Sequence, residues 1–383
     1  MNRNYKLKDF AQDVSIAVKD AQSSPFDRFV GLEHYDSGEP VITRYTDTSL
    51  LSSSVKEFHA NDILIARRNV YLRRAGIAFF DGLTSGDSIV LSIYDDCEQR
   101  TGIPKADAIK IIPFILNSNL FWAYANKHAD GMNSKRISKE MLYDYEFTLP
   151  SLAEQRVLAD KLWAAYHLKE SYRKLLASTQ EMVKSQFIEM FGKATERVAL
   201  SSLCDTFIDG DWIEAKDQSD SGIRLIQTGN VGVGVYKDKE DKARYISEET
   251  FTRLNCTEVF EGDILISRLP DPVGRACSIP GGLGKSITAV DCTIIRLNEK
   301  VLPKYFISFT NTPDYAMQIK KVLSGTTRLR VSRANLGKIQ VPLPSKDEQQ
   351  RFVEIANQAD KSEFELRKSI ESIDAVIKSM INS

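Results

Sequence analysis

The sequence predicts an α+β protein in which two similar mixed α/β domains are separated by two long antiparallel helices, which form a coiled coil with a pseudo-twofold internal repeat. Three observations support this prediction. One series of motifs occurs twice, each copy changes from strand-like to helix-like patterning after Leu-Pro-Ser, and the two helical stretches share one pattern of apolar positions. A chain of 383 residues is also long enough for two or three domains, each with its own core.

The repeat is visible at several places along the chain. Residues 61–67 (NDILIAR) return 201 residues later as 262–268 (GDILISR). Further on, residues 136–138 (RIS) return 194 residues later as 330–332 (RVS), and LPSLAEQR at 149–156 returns as LPSKDEQQ at 343–350. Two copies of one unit, with a seven-residue difference inside their first parts, therefore account for the chain.

Each copy begins with a mixed domain, which we place at residues 1–149 and 193–344. Short apolar and β-branched stretches between Gly, Pro, Asn and Asp residues predict strands at Asp62–Ala66, Ser88–Ile93, Ile264–Ser267 and Thr293–Leu297. Helical patterns over Ile112–Lys127 and Pro303–Leu323 interrupt these strands. Both domains are therefore expected to contain strands and helices.

Each domain is followed by a long helix, at residues 150–192 and 345–383. Ser151 and Ser345 each precede a glutamate by three residues, which is the signature of a helical capping box. Gly192 is expected to end the first helix. Stripes of alternating four- and three-residue spacing predict that the helices pack on each other; they are formed by Leu158, Leu162, Ala165, Lys169, Tyr172, Leu176, Thr179 and Val183, and by Phe352, Ala356, Ala359, Glu363, Leu366, Ile370, Ile373 and Ile377.

A charged pair is expected in the middle of this seam. If the two helices overlap over their full length, their midpoints place Lys169 opposite Glu363, where a Lys-Glu pair would satisfy both groups. A stagger of one helical turn would instead bring Tyr172 and Leu366 to the centre.

Composition excludes several classes of protein. The N-terminal sequence has no apolar signal core and no apolar run reaches the ~20 residues of a membrane span, so we expect a cytoplasmic protein without membrane partners. Five cysteines without a CxxC pair indicate reduced structural thiols. The formal net charge of -1 gives no overall attraction to nucleic acid, so any such function must depend on local basic clusters.

Two basic clusters stand out. Arg67–Arg74 holds four arginines in eight residues without an acid, and Tyr315–Lys346 holds seven Lys or Arg residues and no acid. Most basic residues are solvated surface, but here the two copies place arginine after the repeated strand and in a Gly-rich loop before the Leu-Pro motif. Such loops suit contacts to phosphates and base edges. The candidate DNA-binding residues are Arg67, Arg68, Arg73, Arg74, Lys135, Arg136, Arg268, Arg275, Arg328, Arg330 and Arg333.

Catalytic and metal-binding motifs are weak. The sequence GGLGKS at 281–286 lacks the first glycine of a phosphate loop, where Ile279 stands, and a strand-like stretch follows it. Asp209 with Glu214 and Lys216 resembles the acidic triplet of a metal nuclease, but the first copy has no equivalent. The histidines are scattered, and neither a nucleophile elbow nor a methyltransferase signature is present. We therefore assign no catalytic residue and no metal site.

The motifs in order resemble the specificity subunits of type I restriction-modification systems, the HsdS family. The second copy carries the resemblance through DGDW (209–212), GIRLI (222–226), GDILISR (262–268), VGR (273–275) and SGTTRLRVSRANLGKIQVPLP (324–344). The first copy is more divergent but keeps NDILIARR (61–68), KRISKEML (135–142), LPSLAEQR (149–156) and FIEMFG (187–192). The resemblance covers essentially the whole chain.

This resemblance implies a DNA reader without catalytic activity. Each mixed domain would be a target recognition domain for one half of a bipartite, asymmetric DNA sequence, and the helices would dock two methyltransferase subunits. The partner subunits would supply S-adenosylmethionine and adenine methylation, so this chain would carry no cofactor, and motor-endonuclease subunits would supply cleavage. Two readers on a rod fix the separation of the half-sites.

Two other functions remain open at this point. A repeat scaffold could use the coiled coil to bind proteins without any DNA specificity, and a nuclease or methyltransferase is disfavoured by its missing motifs. Salt-dependent binding to duplex DNA distinguishes a DNA reader from a scaffold.

Overall fold

Two five-stranded sheets and a two-stranded sheet form the first mixed domain in a computed structural model, which describes residues 3–19, 21, 24–48, 55–132 and 134–382. The chain divides into two units, unit 1 (Met1–Arg173 with Lys368–Ser383) and unit 2 (Lys174–Arg367). The strands of unit 1 are β1 Arg3–Lys6, β2 Ala11–Asp13, β3 Ile16–Val18, β4 Arg28–Val30, β5 Val41–Ile42, β6 Thr46–Asp47, β7 Val55–Phe58, β8 Ile63–Ala66, β9 Ala75–Ala78, β10 Gly82–Ser85, β11 Ser88–Ile93 and β12 Glu146–Leu149.

The helices of unit 1 lie between β11 and β12, apart from one short helix near the N-terminus. They are α1 Leu7–Phe10, α2 Cys97–Thr101, α3 Lys105–Ile115, α4 Asn119–Lys127 and α5 Lys139–Tyr143, and the long helix α6 Leu152–Phe191 follows β12. The sheets have the orders β1-β12, β3-β7-β10-β4-β6 and β2-β11-β8-β9-β5. Strand β8 is buried at all four residues and lies inside its sheet, as its unbroken apolar sequence requires.

Unit 2 repeats this architecture. Its strands are β13 Arg197–Ala199, β14 Cys204–Asp209, β15 Gln218–Ser219, β16 Ile223–Ile226, β17 Tyr245–Ile246, β18 Ile264–Ser267, β19 Ala276–Ser278, β20 Ser286–Thr288, β21 Cys292–Leu297 and β22 Gln340–Pro342. Its helices are α7 Glu248–Leu254, α8 Pro303–Thr310, α9 Pro313–Lys321 and α10 Arg333–Leu336, and the last helix, α11, spans Lys346–Asn382.

Equivalent strands pair in the same order in the two units. The order β2-β11-β8-β9 of unit 1 returns as β14-β21-β18-β19 in unit 2, and the closing pair β1-β12 returns as β13-β22. A parallel pair is also shared, β10 with β4 in unit 1 and β20 with β16 in unit 2. The predicted fold class is therefore confirmed, with two similar mixed domains and two long helices that pair.

The two predicted helical patches are each split in two. The pattern over residues 112–127 belongs to α3 and α4, because Ser118 caps a new helix by accepting a hydrogen bond from the Phe121 amide. In the second copy Thr312 accepts from the Tyr315 amide and starts α9 after α8. A polar cap between two apolar faces turns the chain without interrupting the periodic pattern.

The long helices begin as their capping boxes predict. The backbone amide of Ser151 donates to Glu154 at 3.0 Å, and that of Ser345 donates to Glu348 at 2.9 Å. In both helices the predicted stripe is the protected face. Leu162, Ala356 and Ile377 are buried along it, while positions between stripe residues are mostly exposed.

Helices α6 and α11 pair antiparallel within each unit. In unit 1, the Lys169 ammonium lies 2.8 Å from Asp374 of α11. In unit 2, Gln180 donates to Glu363 at 3.0 Å, and the rings of Phe187 and Phe352 lie 5.2 Å apart. As residue numbers rise along α6 they fall along α11, which is the predicted antiparallel direction.

The predicted pairing of Lys169 with Glu363 is wrong. Lys169 binds Glu39 and Asp374 in unit 1, whereas Glu363 binds Gln180 and Arg367 in unit 2. Asp374 lies eleven residues beyond Glu363, about three helical turns along α11. The full overlap assumed from the sequence is absent, because the first turns of each helix pack against its own domain. Arg156 of α6 pairs with Asp107 at 2.8 Å.

The start of α11 is held in the same way. Gln349 is fully buried, donates to the carbonyl oxygens of Lys300 and Pro344, and accepts from the Leu302 amide. These turns are unavailable for pairing with α6, so the pairing of the two helices is shifted along their length.

Candidate nucleic-acid interface

In each unit a buried strand is followed by an arginine whose backbone amide and carbonyl both form hydrogen bonds to other segments. After β8, the backbone amide of Arg67 donates to the carbonyl oxygen of Asp87, and the carbonyl oxygen of Arg67 accepts from the Ile137 amide, both at 3.0 Å. After β18, the backbone amide of Arg268 donates to the carbonyl oxygen of Asp291 at 2.9 Å, and the carbonyl oxygen of Arg268 accepts from the Val331 amide at 3.2 Å. The repeated sequence therefore folds into the same local backbone arrangement in both copies.

The basic loops are closed hairpins. The first hairpin, residues 130–136, is closed by mutual backbone hydrogen bonds between Asp130 and Arg136 at 2.8 and 2.9 Å. The second hairpin, residues 324–330, is closed by Ser324 and Arg330 with two bonds of 2.9 Å. Ile137 and Val331, which bind the strand-end arginines, follow these closures directly. Each basic loop is thereby anchored beside an arginine at the end of a buried strand.

A glycine makes each closure possible. Gly131 has a φ of +116° and Gly325 has a φ of +101°, and residues that carry a Cβ rarely adopt such backbone angles. A Cβ on Gly325 would stand 2.4 Å from the Arg328 carbonyl oxygen, and one on Gly131 would stand 3.0 Å from that of Ser134. Asn133 lies outside the described residues.

Three of the predicted arginines in unit 1 gather around one carboxylate. Asp87 lies 3.9 Å from Arg67, 3.5 Å from Arg68 and 3.6 Å from Arg136. The Nε atom of Arg68 also donates to Ser134 of the first hairpin at 2.8 Å. Lys135, beside Arg136, is exposed and forms no ion pair with any described residue. The cluster thus combines three arginines that share one carboxylate with a lysine that is unpaired among the described residues.

Unit 2 builds a related cluster on Asp209, at the end of β14. Its carboxylate lies 3.4 Å from Arg268 and 3.9 Å from Arg333, and the Thr293 hydroxyl donates to it at 3.1 Å. Arg328 and Arg330 of the second hairpin are exposed, and neither forms an ion pair within the described part of the chain. These two side chains are free to meet a polyanion.

Two of the predicted arginines bind loop carbonyl oxygens. Arg275 donates to the carbonyl oxygens of Val231, Leu269, Pro272 and Thr228 at 2.6 to 2.8 Å, which leaves it no free nitrogen. Its counterpart Arg74 donates to the carbonyls of Leu32 and Arg68. Burial lowers the pKa of both guanidinium groups, which nevertheless stay protonated at physiological pH.

All three nitrogens of Arg275 and both terminal nitrogens of Arg74 bind loop carbonyl oxygens, and a place for these two residues beside DNA stays a prediction. Arg73 is exposed and donates to Asn119 at 2.9 Å. The sequence also gives no sign that the carboxylates of Asp87 and Asp209 gather arginines around them. Their partners lie 19 to 124 residues away, and no local pattern marks them.

The residues considered for other chemistry are placed elsewhere. The turn at 281–285 leads into β20 as expected, rather than into a helix. Glu214 pairs with Lys216 at 2.7 Å, while Asp209 faces arginines. Within the described ranges, no group of three or more His, Cys, Asp or Glu side chains could hold a metal ion. The described helices include none long and apolar enough to cross a membrane.

Comparison with known proteins relates the second copy of the repeat to a known domain family. Residues 193–373 match the family model of the type I restriction modification DNA specificity domain. This segment, the second mixed domain with most of α11, belongs to that family of DNA specificity domains. No curated protein matches the sequence.

Solved structures of similar fold cover essentially the whole length of the chain. One, described as the structural basis underlying complex assembly and conformational transition of the type I R-M system, is 15% identical with a TM-score of 0.55, covering 99% of this chain and 96% of the other. The type I restriction-modification system S subunit from M. genitalium is 12% identical with a TM-score of 0.50, covering 100% and 95%. At these identities the likeness is one of fold.

Proposed function

We propose that this chain is the DNA sequence-recognition subunit of a type I restriction-modification complex, and that each mixed domain reads one half of a bipartite, asymmetric target. The observation that supports this most directly is the repeated site. In both units a closed basic hairpin is anchored to the arginine that ends a buried strand, at Arg67 and at Arg268. Two similar readers on one chain suit a target with two parts.

The side chains divide into two roles. Lys135, Arg328 and Arg330 are exposed and unpaired among the described residues, so they suit phosphate contacts, which set affinity. Arg67, Arg68 and Arg136 pair with Asp87, and Arg333 pairs with Asp209. Arginines that a carboxylate restrains suit base edges, because a guanidinium reads guanine through two hydrogen bonds of fixed geometry.

The long helices suit the docking of two methyltransferase subunits. Large apolar side chains of α6 stay about half exposed in both units: Val157 and Leu168 in unit 1, and Leu175, Met182 and Ile188 in unit 2. In unit 2 a groove of about 750 Å³ is lined by residues of α6, α8 and α11 together with Val233 and Val235. Exposed apolar surface of this kind marks interfaces with other proteins.

In this proposal the chain itself is not catalytic. Methyl transfer and S-adenosylmethionine belong to the methyltransferase subunits, and cleavage belongs to motor-endonuclease subunits. No residue of this chain is assigned to either reaction.

Salt-dependent binding to duplex DNA tests the proposal. The log-log slope of affinity against salt should be several units, and replacing both Arg328 and Arg330 by alanine should reduce it by about two, or roughly 0.9 per lost phosphate contact. Arg351→Ala, which removes an exposed arginine of α11, is the control and should leave the slope unchanged. A flat salt dependence of the unaltered chain would favour a protein-binding scaffold.

A further inference from the structure

Each arginine cluster of the interface contains one carboxylate. Asp87 follows β10 in the turn to β11, its side chain is 25% exposed, and it contacts arginines from two separate segments. Arg67 and Arg68 come from the end of β8, and Arg136 closes the first hairpin. One acid therefore ties the hairpin to the strand end and leaves the group of four charges with a net charge of about +2.

Unit 2 reaches a related arrangement through a different residue. The backbone counterpart of Asp87 is Asp291, whose carbonyl accepts from the Arg268 amide. The carboxylate, however, comes from Asp209 on β14, which contacts Arg268 and Arg333. Arg268 is 94% buried and also donates to the Val290 carbonyl oxygen at 2.6 Å, so Arg333, whose side chain is 45% exposed, is the arginine of this cluster that can face DNA. Two copies that differ in sequence thus both place an acid among their arginines.

Neither stability nor DNA affinity accounts for these acids. The ion pairs are 3.4 to 3.9 Å long and several of the arginine side chains are 38 to 45% exposed, the range in which an ion pair stabilises a fold little. A carboxylate near a phosphate backbone also repels it and weakens binding. What the acid does supply is a shared counter-charge that restricts where the nearby guanidinium groups lie, since a free arginine samples many rotamers and reads no base reliably.

We propose that Asp87 and Asp209 are specificity-determining positioning residues, one for each half-site. Each holds its arginines in place before DNA binds and lowers attraction to unrelated DNA. This inference rests on the proposed DNA-reading function, and it predicts that affinity and selectivity change in opposite directions when the carboxylate charge is removed.

The substitution Asp87→Asn keeps the size of the side chain and removes its charge. Affinity for an unrelated duplex should rise severalfold, with a salt slope steeper by up to about one unit, because one repulsive charge is gone. The ratio of specific to unrelated affinity should fall about tenfold, the size of one impaired bidentate base contact. A residue that only supported the fold would instead lower both affinities together.

The experiment uses the full chain assembled with its methyltransferase subunits. Dissociation constants are measured at several salt concentrations for the unaltered chain, Asp87→Asn and Asp209→Asn. The two DNA duplexes are one that contains the motif that the complex methylates and one of unrelated sequence. Asp95→Asn is the control: its side chain is 99% exposed, it lies just beyond the opposite end of β11, and it pairs only with Lys105 among the described residues. The control should show the unaltered selectivity.

Base preference at each half-site completes the test. Asp87→Asn should relax one half and Asp209→Asn the other. Equal gains in specific and unrelated affinity, or relaxation of both halves by one variant, would overturn the inference. If Asp87→Asn does not fold, Asp87→Glu is the second variant, because it keeps the charge but displaces it. Asp87→Glu should lower selectivity with little gain in affinity for unrelated DNA. Unchanged selectivity of this variant would likewise overturn the inference. Failure of the unaltered chain to select any sequence would instead refute the proposed function.

Discussion

Lys169 is the most deeply buried charged side chain of α6, and replacing it with methionine should destabilise unit 1. The residue is 2% exposed, and its ammonium donates to both carboxylate oxygens of Glu39 at 2.8 and 2.9 Å and to Asp374 at 2.8 Å. These bonds join the first mixed domain, α6 and α11. Methionine has a similar length but leaves both carboxylates without this partner.

The size of the effect follows from what remains around the two acids. Breaking a buried ion pair by removing one partner costs ~3–5 kcal/mol. Glu39 keeps Arg173 at 2.7 Å, and the Asp374 side chain is 34% exposed and reaches water. Both facts favour the lower end of that range, so we expect Lys169→Met to lower the free energy of unfolding of unit 1 by about 3 kcal/mol.

Hydrogen exchange of the α11 amides in unit 1, residues 368–382, measures this loss. Their protection should fall by about two orders of magnitude, since every 1.4 kcal/mol is tenfold in an equilibrium constant. Lys161→Met, which removes an exposed lysine of the same helix, is the control and should change protection less than threefold. A Lys169→Met effect as small as the control would show that the buried ion cluster does not hold α11 in unit 1.

Four further outcomes are expected. Gly325→Ala should weaken DNA binding about tenfold without changing the unfolding midpoint of the rest of the chain, because a Cβ would clash in the second hairpin. Arg275→Lys should lower the unfolding free energy by ~2–3 kcal/mol and leave the salt slope of DNA binding unchanged, since its donors bind carbonyl oxygens. Burial raises the pKa of four thiols, to about 11 for Cys256 and Cys292 and to about 12 for Cys204 and Cys277. At pH 8, a thiol reagent should therefore label these four cysteines at least a hundredfold more slowly in the native chain than in the unfolded chain. The same pKa shifts predict a loss of stability at alkaline pH, because these thiols keep their protons to higher pH in the folded state than in the unfolded state. Their contribution to stability is complete below pH ~9 and is lost as the pH rises towards 11 to 12. Urea titrations at several pH values measure this loss.

The sequence predicts the parts of this molecule that depend on local patterns. The strand at Ser88–Ile93 has the predicted bounds, because an apolar run between turn residues has few alternatives. Both capping boxes form as predicted, since each needs only residues three positions apart. The internal repeat predicts the shared sheet order for the same reason, as similar patterns form similar elements.

Contacts between distant residues were not predictable in this way. The partner of Lys169 depends on how far the first turns of α6 and α11 are used by their own domains, which no helical pattern encodes. Likewise, Arg275 and Arg328 have the same charge and flank similar motifs, yet one is saturated by loop carbonyls and the other is exposed. The fold places each donor, and charge alone does not.

Sequencing of the modified bases in the genome of a host that carries this chain with its methyltransferase subunits tests whether the chain holds two independent readers. Two readers should give one motif with two separate, different half-sites at a fixed spacing, and replacing Arg328 and Arg330 by alanine should weaken or relax only one of them. A single contiguous motif, or equal loss at both half-sites, would contradict two independent readers on one chain.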